Sequence, residues 1–147
     1  MRRVNASGAV MIVAVTKEGE LLLVEEYRVP LHARTVGLPA GISGDEGEES
    51  TLQSARRELE EETGYRCEKL EYLLSLNTTI AFCDEYIDIF LARDLIPSRQ
   101  HLDEDEQIEL EEWDLKDLQE LIYTGKMTDG KTVAAIMTYA AKYGNQQ

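Results

Sequence analysis

The residues most able to do chemistry are glutamates in one short stretch of the chain. Five glutamates fall between Glu49 and Glu62, counting both ends. If this stretch is a helix, Glu58 and Glu62 lie one turn apart on one face, with Glu61 beside them. Carboxylates this close raise one another's pKa unless a cation lies among them. The pattern therefore predicts a site for a divalent cation such as magnesium, which prefers oxygen ligands.

A solvated acidic helix face is the alternative interpretation. Arg56 and Arg57 each precede a glutamate by four residues, and such ion pairs would explain the charges without any chemistry. They do not explain why Glu58 and Glu62 stack one turn apart. Nor do they explain why a Gly-rich segment leads into the helix and Gly64 ends it. The metal site is the favoured interpretation.

The Gly-rich segment, which is predicted to be a loop, and the acidic helix after it together resemble the Nudix box, the motif of a family of pyrophosphohydrolases. The family pattern is G-x5-E-x7-R-E-U-x-E-E-x-G-U, where U is an apolar residue. Anchored on Arg57-Glu58, it places its first glycine at Gly41, its first glutamate at Glu49 and its last glycine at Gly64. Seven residues separate Gly41 from Glu49 where the pattern has five, so the loop carries a two-residue insertion. The resemblance implies that Gly41, Glu49, Arg57 and Gly64 are structural, with a Glu49–Arg57 ion pair tying the loop to the helix.

The resemblance also implies a metal-dependent hydrolase. It makes Glu58 and Glu62 ligands of Mg²⁺, for which Mn²⁺ can substitute. Glu61 is a further ligand or a catalytic residue that orients the nucleophilic water. The carbonyl of Ala40, just ahead of the first glycine, completes the ligand shell.

A second acidic run, Asp103-Glu104-Asp105-Glu106, precedes a predicted strand. It is not an EF-hand loop, because the glycine required at the sixth position is Ile108. One interpretation is a solvated acidic loop. In the ADP-ribose pyrophosphatase branch of the Nudix family, however, a glutamate on the corresponding loop serves as ligand or general base. Glu104 and Glu106 both align with it, and both are candidate catalytic residues.

The segment before the box bears on the substrate. Residues 25–30 and 38–41 are similar to the QYR…P…ELPAG stretch of enzymes that hydrolyse ADP-ribose and nucleoside diphosphate sugars. The resemblance implies that Arg28 contacts a substrate phosphate, which a guanidinium can bind through two hydrogen bonds. A surface arginine at a strand end is the alternative. Gly37 departs from the pattern, because these enzymes usually have a glutamate there, so one contact to the nucleoside end would be missing.

Apolar periodicity predicts the elements that position these residues. Two apolar segments, Ala9–Thr16 and Leu21–Arg28, flank a turn and predict a β-hairpin. The other predicted elements are strands at Arg34–Leu38, Cys67–Leu76, Glu85–Ala92 and Gln107–Asp114, and helices at Leu115–Tyr123 and Lys131–Tyr143, the latter capped by Asp129 or Thr132. This order favours an α+β fold, an α/β/α sandwich around a mixed sheet. The Nudix fold is such a sandwich.

The acidic helix is predicted over Glu49–Thr63. Leu52, Ala55 and Leu59 recur at helical spacing and predict its buried stripe. Glu58 and Glu62 flank this stripe. They are therefore expected at the edge of the core, where a cleft can form.

Composition limits the remaining possibilities. A chain of 147 residues with 43% apolar content predicts a single domain over residues 1–147. The formal net charge of −14 argues against nucleic acid or an anionic membrane as partner, although it also suits simple solubility. Cys67 and Cys83 lie in apolar segments predicted as strands and are expected to be free core thiols. With no membrane span predicted, the expected location is the cytoplasm.

The predicted function is Mg²⁺-dependent hydrolysis of the diphosphate of ADP-ribose or a related nucleoside diphosphate sugar, giving a nucleoside monophosphate and a sugar phosphate. A small-molecule nucleotide is thus the expected partner. An alternative is a pyrophosphohydrolase of modified nucleoside triphosphates or dinucleoside polyphosphates. A non-catalytic ligand-sensing module is a third hypothesis, which the intact glutamates disfavour. The resemblance further implies a homodimer.

Overall fold

Helices cover both faces of the β-structure in the computed structural model, which describes residues 8–28, 33–42, 50–77, 86–99 and 108–144. The helices in these ranges are α1 (Thr51–Thr63), α2 (Leu115–Tyr123) and α3 (Gly130–Tyr143). The strands are β1 (Ala9–Ala14), β2 (Leu21–Arg28), β3 (Ala33–Gly37), β4 (Ala40–Ile42), β5 (Tyr65–Arg66), β6 (Leu70–Asn77), β7 (Tyr86–Ala92), β8 (Ile96–Pro97) and β9 (Ile108–Trp113).

The described strands form three sheets. A four-stranded sheet has the order β4-β1-β7-β6 and is mixed, because β1 runs parallel to β7 while the other pairs are antiparallel. A three-stranded antiparallel sheet has the order β3-β2-β9, and β5 pairs with β8. Strand β1 is buried from Val10 to Ala14. Its unbroken apolar run therefore reflects burial on both faces.

The predicted hairpin of the first two strands is wrong. The chain does reverse between them, and an isolated bridge joins Val15 to Leu21. Beyond this bridge the strands diverge: β1 pairs with β4 and β7, whereas β2 pairs with β3 and β9. The turn determines only that the chain reverses. Strand β1 pairs with the distant β7, and β2 pairs with the distant β9 as well as with the nearby β3, and these longer ladders replace the local one.

Two apolar cores lie on opposite sides of the sheets. Val10 and Ile12 of β1 pack in one core with Leu59 of α1. Val13 packs in the other core with Ile136 of α3. Successive side chains of a strand point to opposite faces, so β1 contributes to both cores. The predicted α+β class and α/β/α sandwich are confirmed.

The predicted start and buried stripe of the acidic helix need correction. Ser50 is the N-cap: its hydroxyl accepts from the Gln53 amide at 3.1 Å, and the Gln53 side chain accepts from the Ser50 amide at 3.0 Å. This capping box starts the helix at Thr51. Ala55 and Leu59 are buried as predicted, but Leu52 is 38% exposed. Leu52 lies in the first turn, where the helix end extends past the core.

Cys67 is a buried free thiol, as predicted, but it does not lie in a strand. It connects β5 to β6, and its thiol donates to the carbonyls of Lys69 and Arg93, each at 3.1 Å. Cys83 lies outside the described residues. No helix in the described ranges has both the length and the apolar character needed to cross a bilayer.

Candidate active site

Helix α1 carries the predicted carboxylates and has a defined end. Gly64 adopts φ 76° and ψ 15°, the left-handed conformation that glycine accepts most readily. Its amide donates to the Glu60 carbonyl at 3.0 Å. This is a common helix C-terminus, and it ends the helix immediately after the acidic run. Capping at both ends thus fixes where Glu58, Glu61 and Glu62 lie along the helix.

Gly41 and Glu58 are in close contact. Gly41 lies in β4 opposite Val10 of β1, and the position of a side-chain carbon on Gly41 is occupied by the Glu58 carboxyl. The φ of Gly41 lies outside the left-handed region, so space rather than backbone conformation requires glycine here. The Glu58 side chain is only 13% exposed. The strand that leads into the Gly-rich loop therefore holds this carboxylate against the core edge.

Arg57 bridges two of the three carboxylates. Its Nη1 donates to Glu58 Oε2 at 3.0 Å and to Glu61 Oε2 at 3.2 Å. The predicted four-residue pair between Arg57 and Glu61 is therefore present. The predicted ion pair with Glu49 falls outside the described residues. One guanidinium offsets part of the negative charge on this helix edge.

Burial raises the pKa of the Glu58 carboxyl above its ordinary value of 4.5. The Arg57 charge opposes this effect, whereas the neighbouring Glu61 charge adds to it; hydrogen bonds with Glu62 and Arg57 favour ionisation. The groups around Glu58 thus do not fully compensate its negative charge. The helix edge can accept additional positive charge.

Glu62 lies beside the peptide that precedes Gly41. The Ala40 amide donates to Glu62 Oε1 at 3.4 Å, which joins β4 to the last turn of α1. Glutamates 58, 61 and 62 and the Ala40 carbonyl together offer only oxygen donors, the set that suits Mg²⁺. Within the described ranges, no three acidic, histidine or cysteine side chains already form a group that could hold a metal. Arg57 instead occupies one carboxylate oxygen each of Glu58 and Glu61.

A pocket of about 260 Å³ begins at Ala40 and Glu62. One wall comes from β2 and β3, and the other comes from the start of α3. The described residues that line these walls include Glu26, Thr35 and Gly37 on the first and Asp129, Lys131 and Thr132 on the second. The carboxylate edge of α1 and the pocket are therefore continuous. The sequence patterns did not predict this pocket.

Asp129 organises the α3 wall. Of the two predicted candidates, Asp129 rather than Thr132 is the N-cap of the helix: Oδ2 accepts from the Thr132 amide at 3.1 Å and from its hydroxyl at 2.9 Å. Oδ1 accepts from Lys131 Nζ at 2.8 Å. Burial alone would raise the pKa of Asp129, but the bonds from Lys131 and Thr132 outweigh it and lower that pKa. The wall therefore carries a fixed carboxylate paired with an ammonium.

The other predicted site residues are described only in part. Arg28 is the last residue of β2 and pairs with Ala33 through the backbone, but its side chain is outside the description. Glu49, Glu104 and Glu106 also lie outside the described residues. Their predicted roles stay predictions.

Comparison with known proteins gives consistent results. The family model of the NUDIX domain matches residues 6–136. The chain is 41% identical over 135 residues to the ADP-ribose pyrophosphatase of Bacillus subtilis strain 168, covering 90% of this chain and 72% of that protein. The methanol dehydrogenase activator of Bacillus methanolicus matches with the same identity and coverage. The ADP compounds hydrolase NudE of Escherichia coli K12 is 31% identical over 136 residues, covering 92% and 71%.

Solved structures have the same fold. The crystal structure of an ADP compounds hydrolase superimposes with a TM-score of 0.83 and 28% identity, covering 98% of this chain and 76% of that one. A NUDIX hydrolase from Nitrosomonas europaea gives a TM-score of 0.73 at 20% identity, covering 94% and 90%. The second likeness is evidence for the fold alone. The first, together with the sequence matches, confirms the resemblance stated from the box.

Proposed function

We propose that this chain, which belongs to the NUDIX domain family, hydrolyses the diphosphate of ADP-ribose or a related nucleoside diphosphate sugar. The chain is a Nudix hydrolase. The products of the proposed reaction are a nucleoside monophosphate and a sugar phosphate. The names of its relatives, ADP-ribose pyrophosphatase and ADP compounds hydrolase, support this substrate class.

One observation carries the proposal. Glu58, Glu61 and Glu62 occupy one edge of α1, and Glu62 is also part of the wall of the adjoining pocket. A substrate can thus extend from the carboxylates into the pocket. At 260 Å³ the pocket is smaller than the ~300–1,000 Å³ of sites that enclose a whole drug-sized ligand. It suits one end of a nucleotide sugar, with the diphosphate left beside the glutamates.

The same edge would hold the metal. Glu58, Glu61, Glu62 and the Ala40 carbonyl would hold Mg²⁺, with Mn²⁺ able to substitute. When bound, the cation would neutralise phosphate oxygens and make a water more nucleophilic. Glu61 is proposed to bind the metal or to orient that water.

Residues from other parts of the chain complete the proposal. Arg28 would bind a substrate phosphate through its guanidinium. Either Glu104 or Glu106 would provide a further ligand or the general base. Separate replacement of each by glutamine identifies which one acts, because only the acting residue should lower kcat strongly.

Turnover of ADP-ribose with Mg²⁺ and identification of the products test the proposal. Glu58→Gln and Glu61→Gln should each lower kcat by at least about 100-fold, because even replacing the residues that support a metal ligand costs about 10–100-fold. Glu60→Gln is the matched control, because Glu60 lies on the same helix but accepts from Ser98. Wild-type turnover by the first two variants, on every anhydride substrate tried, contradicts the proposal. Inorganic pyrophosphate released from a nucleoside triphosphate would favour the alternative enzyme.

We also propose that the protein acts as a homodimer in the cytoplasm. The buried free thiol of Cys67 is compatible with a reducing compartment. Light scattering of the purified protein tests the dimer, and a mass of about one chain, 16.6 kDa, contradicts it.

A further inference from the structure

The buried stripe of helix α1 ends in a polar residue. Ala55 and Leu59 are fully buried, and Thr63, one turn later, is only 5% exposed. Burying a hydroxyl is unfavourable unless it is hydrogen-bonded. The Thr63 hydroxyl donates to the Leu59 carbonyl at 2.5 Å and accepts from the Tyr65 amide at 3.1 Å. Both partners are backbone groups, so this hydroxyl joins the last turn of the helix to the first residue of β5.

The turn that Thr63 closes is electrostatically unfavourable. Residues 60–62 are three consecutive glutamates, and the last turn of α1 contains no basic residue. The C-terminal end of a helix carries a partial negative charge, which repels carboxylates. Glu58 and Glu62 are also four residues apart, a spacing at which like charges on a helix repel each other. Arg57 offsets part of this charge through Glu61, but the turn should still open more readily than an ordinary helix end.

The same turn carries two of the proposed metal ligands, Glu61 and Glu62. Glu62 reaches β4, where its Oε1 accepts from the Ala40 amide at 3.4 Å. Glu58 lies one turn earlier and is held separately by its contact with Gly41. If the last turn opened, Glu61 and Glu62 would move while Glu58 stayed in place. The three carboxylates therefore keep their mutual positions only while this turn is closed.

The chain beyond the helix is held independently of α1. The Ser98 amide donates to the Gly64 carbonyl at 2.7 Å, and Tyr65 pairs with Pro97 in the ladder between β5 and β8. The Tyr65 amide that binds the Thr63 hydroxyl thus belongs to a segment with its own support. The hydroxyl therefore links an electrostatically unfavourable turn to a strand that is fixed by other contacts.

We propose that Thr63 is a positioning residue, whose hydroxyl keeps the last turn of α1 closed and so holds Glu61 and Glu62 in the arrangement that binds a divalent cation. This inference rests on the proposed metal-dependent function and adds a residue that the proposed ligand set does not include. Thr63 is buried and acts through the backbone, without contact to cation or substrate. Its effect should therefore appear in metal affinity rather than in the chemical step.

Thr63→Val removes the hydroxyl and keeps the shape of the side chain. In the metal-free protein, amide hydrogen exchange at residues 61–65 should then quicken by about two- to tenfold, the factor that one hydrogen bond represents. The dissociation constant of Mn²⁺, measured by electron paramagnetic resonance without substrate, should rise at least about twofold, because only the closed turn binds the ion. At saturating Mg²⁺, kcat should return to within about twofold of wild type, because a bound cation itself favours the closed turn.

Thr124→Val is the matched control. The Thr124 hydroxyl makes the same type of bond, at 2.8 Å to the carbonyl of Glu120 four residues earlier, but at the end of α2. Its loss should quicken exchange in that helix alone and leave the Mn²⁺ affinity unchanged. Thr63→Ser keeps the hydroxyl and should match wild type in both measurements. Thr63→Ala provides the test if the valine variant does not fold.

Three outcomes overturn the inference. The first is unchanged exchange at residues 61–65 in folded Thr63→Val. The second is faster exchange with unchanged Mn²⁺ affinity, and the third is a kcat that stays low at saturating Mg²⁺. Failure of wild type to bind Mn²⁺ would remove the proposed metal site and this inference with it, whereas equal binding by wild type and Thr63→Val would remove only this inference.

Discussion

The carboxyl of Glu58 occupies the space into which a side chain at Gly41 would project. The two residues belong to different elements, since Gly41 lies in β4 and Glu58 lies in α1. Their contact places the strand before the Gly-rich loop directly against the helix after it. The position of the carboxylate therefore depends on the strand.

Gly41→Ala should displace Glu58 and impair catalysis. The added methyl and the Glu58 carboxyl cannot occupy the same place, and because this carboxyl is the end of a flexible side chain, it should move away with only a small loss of unfolding free energy. We expect kcat to fall by at least about tenfold, because a small displacement of a catalytic group can cost more than that. Steady-state kinetics and thermal unfolding measure the two effects. Ile42→Ala is the control, because Ile42 is adjacent and 57% exposed, and wild-type kcat in a folded Gly41→Ala would contradict the prediction.

Millimolar Mg²⁺ should stabilise the folded protein. A cation that binds only the native state raises the unfolding free energy by about 2.7 kcal/mol at one hundred times its Kd. The melting temperature should therefore be higher with Mg²⁺ than with EDTA. The difference should shrink in a Glu58→Gln, Glu62→Gln double variant. Equal melting temperatures of wild type in Mg²⁺ and EDTA would count against the metal site.

Glu111→Gln should stabilise the protein at neutral pH. A hydrogen bond with Glu25 raises the pKa of Glu111 above its ordinary 4.5, despite the opposing bond from Trp113. A raised folded-state pKa contributes stability below pH 4.5, and this contribution is lost as pH rises through the raised value. Removing the charge should therefore increase the unfolding free energy at pH 7, and because solvent screens this partly exposed pair, the gain should be about 0.2–0.5 kcal/mol. The gain should vanish near pH 4, a value below the ordinary pKa.

Denaturant unfolding at the two pH values measures this effect. Glu112→Gln is the control, because Glu112 is exposed on the same strand and points to the other face. An equal gain in both variants would point to overall net charge and would contradict a specific role for the Glu25–Glu111 contact.

Local signals in the sequence predicted the helices well. Gly64 ends α1, Asp129 caps α3, and α2 was predicted with its observed bounds. These features depend on groups within one turn of each other. The start of α1 was predicted two residues early, because Glu49 fits a helix as well as Thr51 does, and only the Ser50 cap distinguishes them.

Features that depend on distant contacts were not predictable in this way. The pairing of β1 with β7 joins segments more than seventy residues apart, and no local pattern specifies it. The sequence placed Ala40 and Gly41 in a loop, whereas they form a short strand against β1. The pocket was missed for the same reason, since Gly37 and Thr132 meet only in the folded chain.

The divided origin of the pocket has a consequence for protein engineering. One wall comes from strands near the beginning of the chain, and the other comes from the final helix. A graft of residues 39–64 onto a foreign scaffold would transfer the acidic edge of α1 without the two walls of the adjoining pocket. Transfer of the motif alone would therefore leave the pocket behind, and substrate selectivity would have to be designed into the host protein.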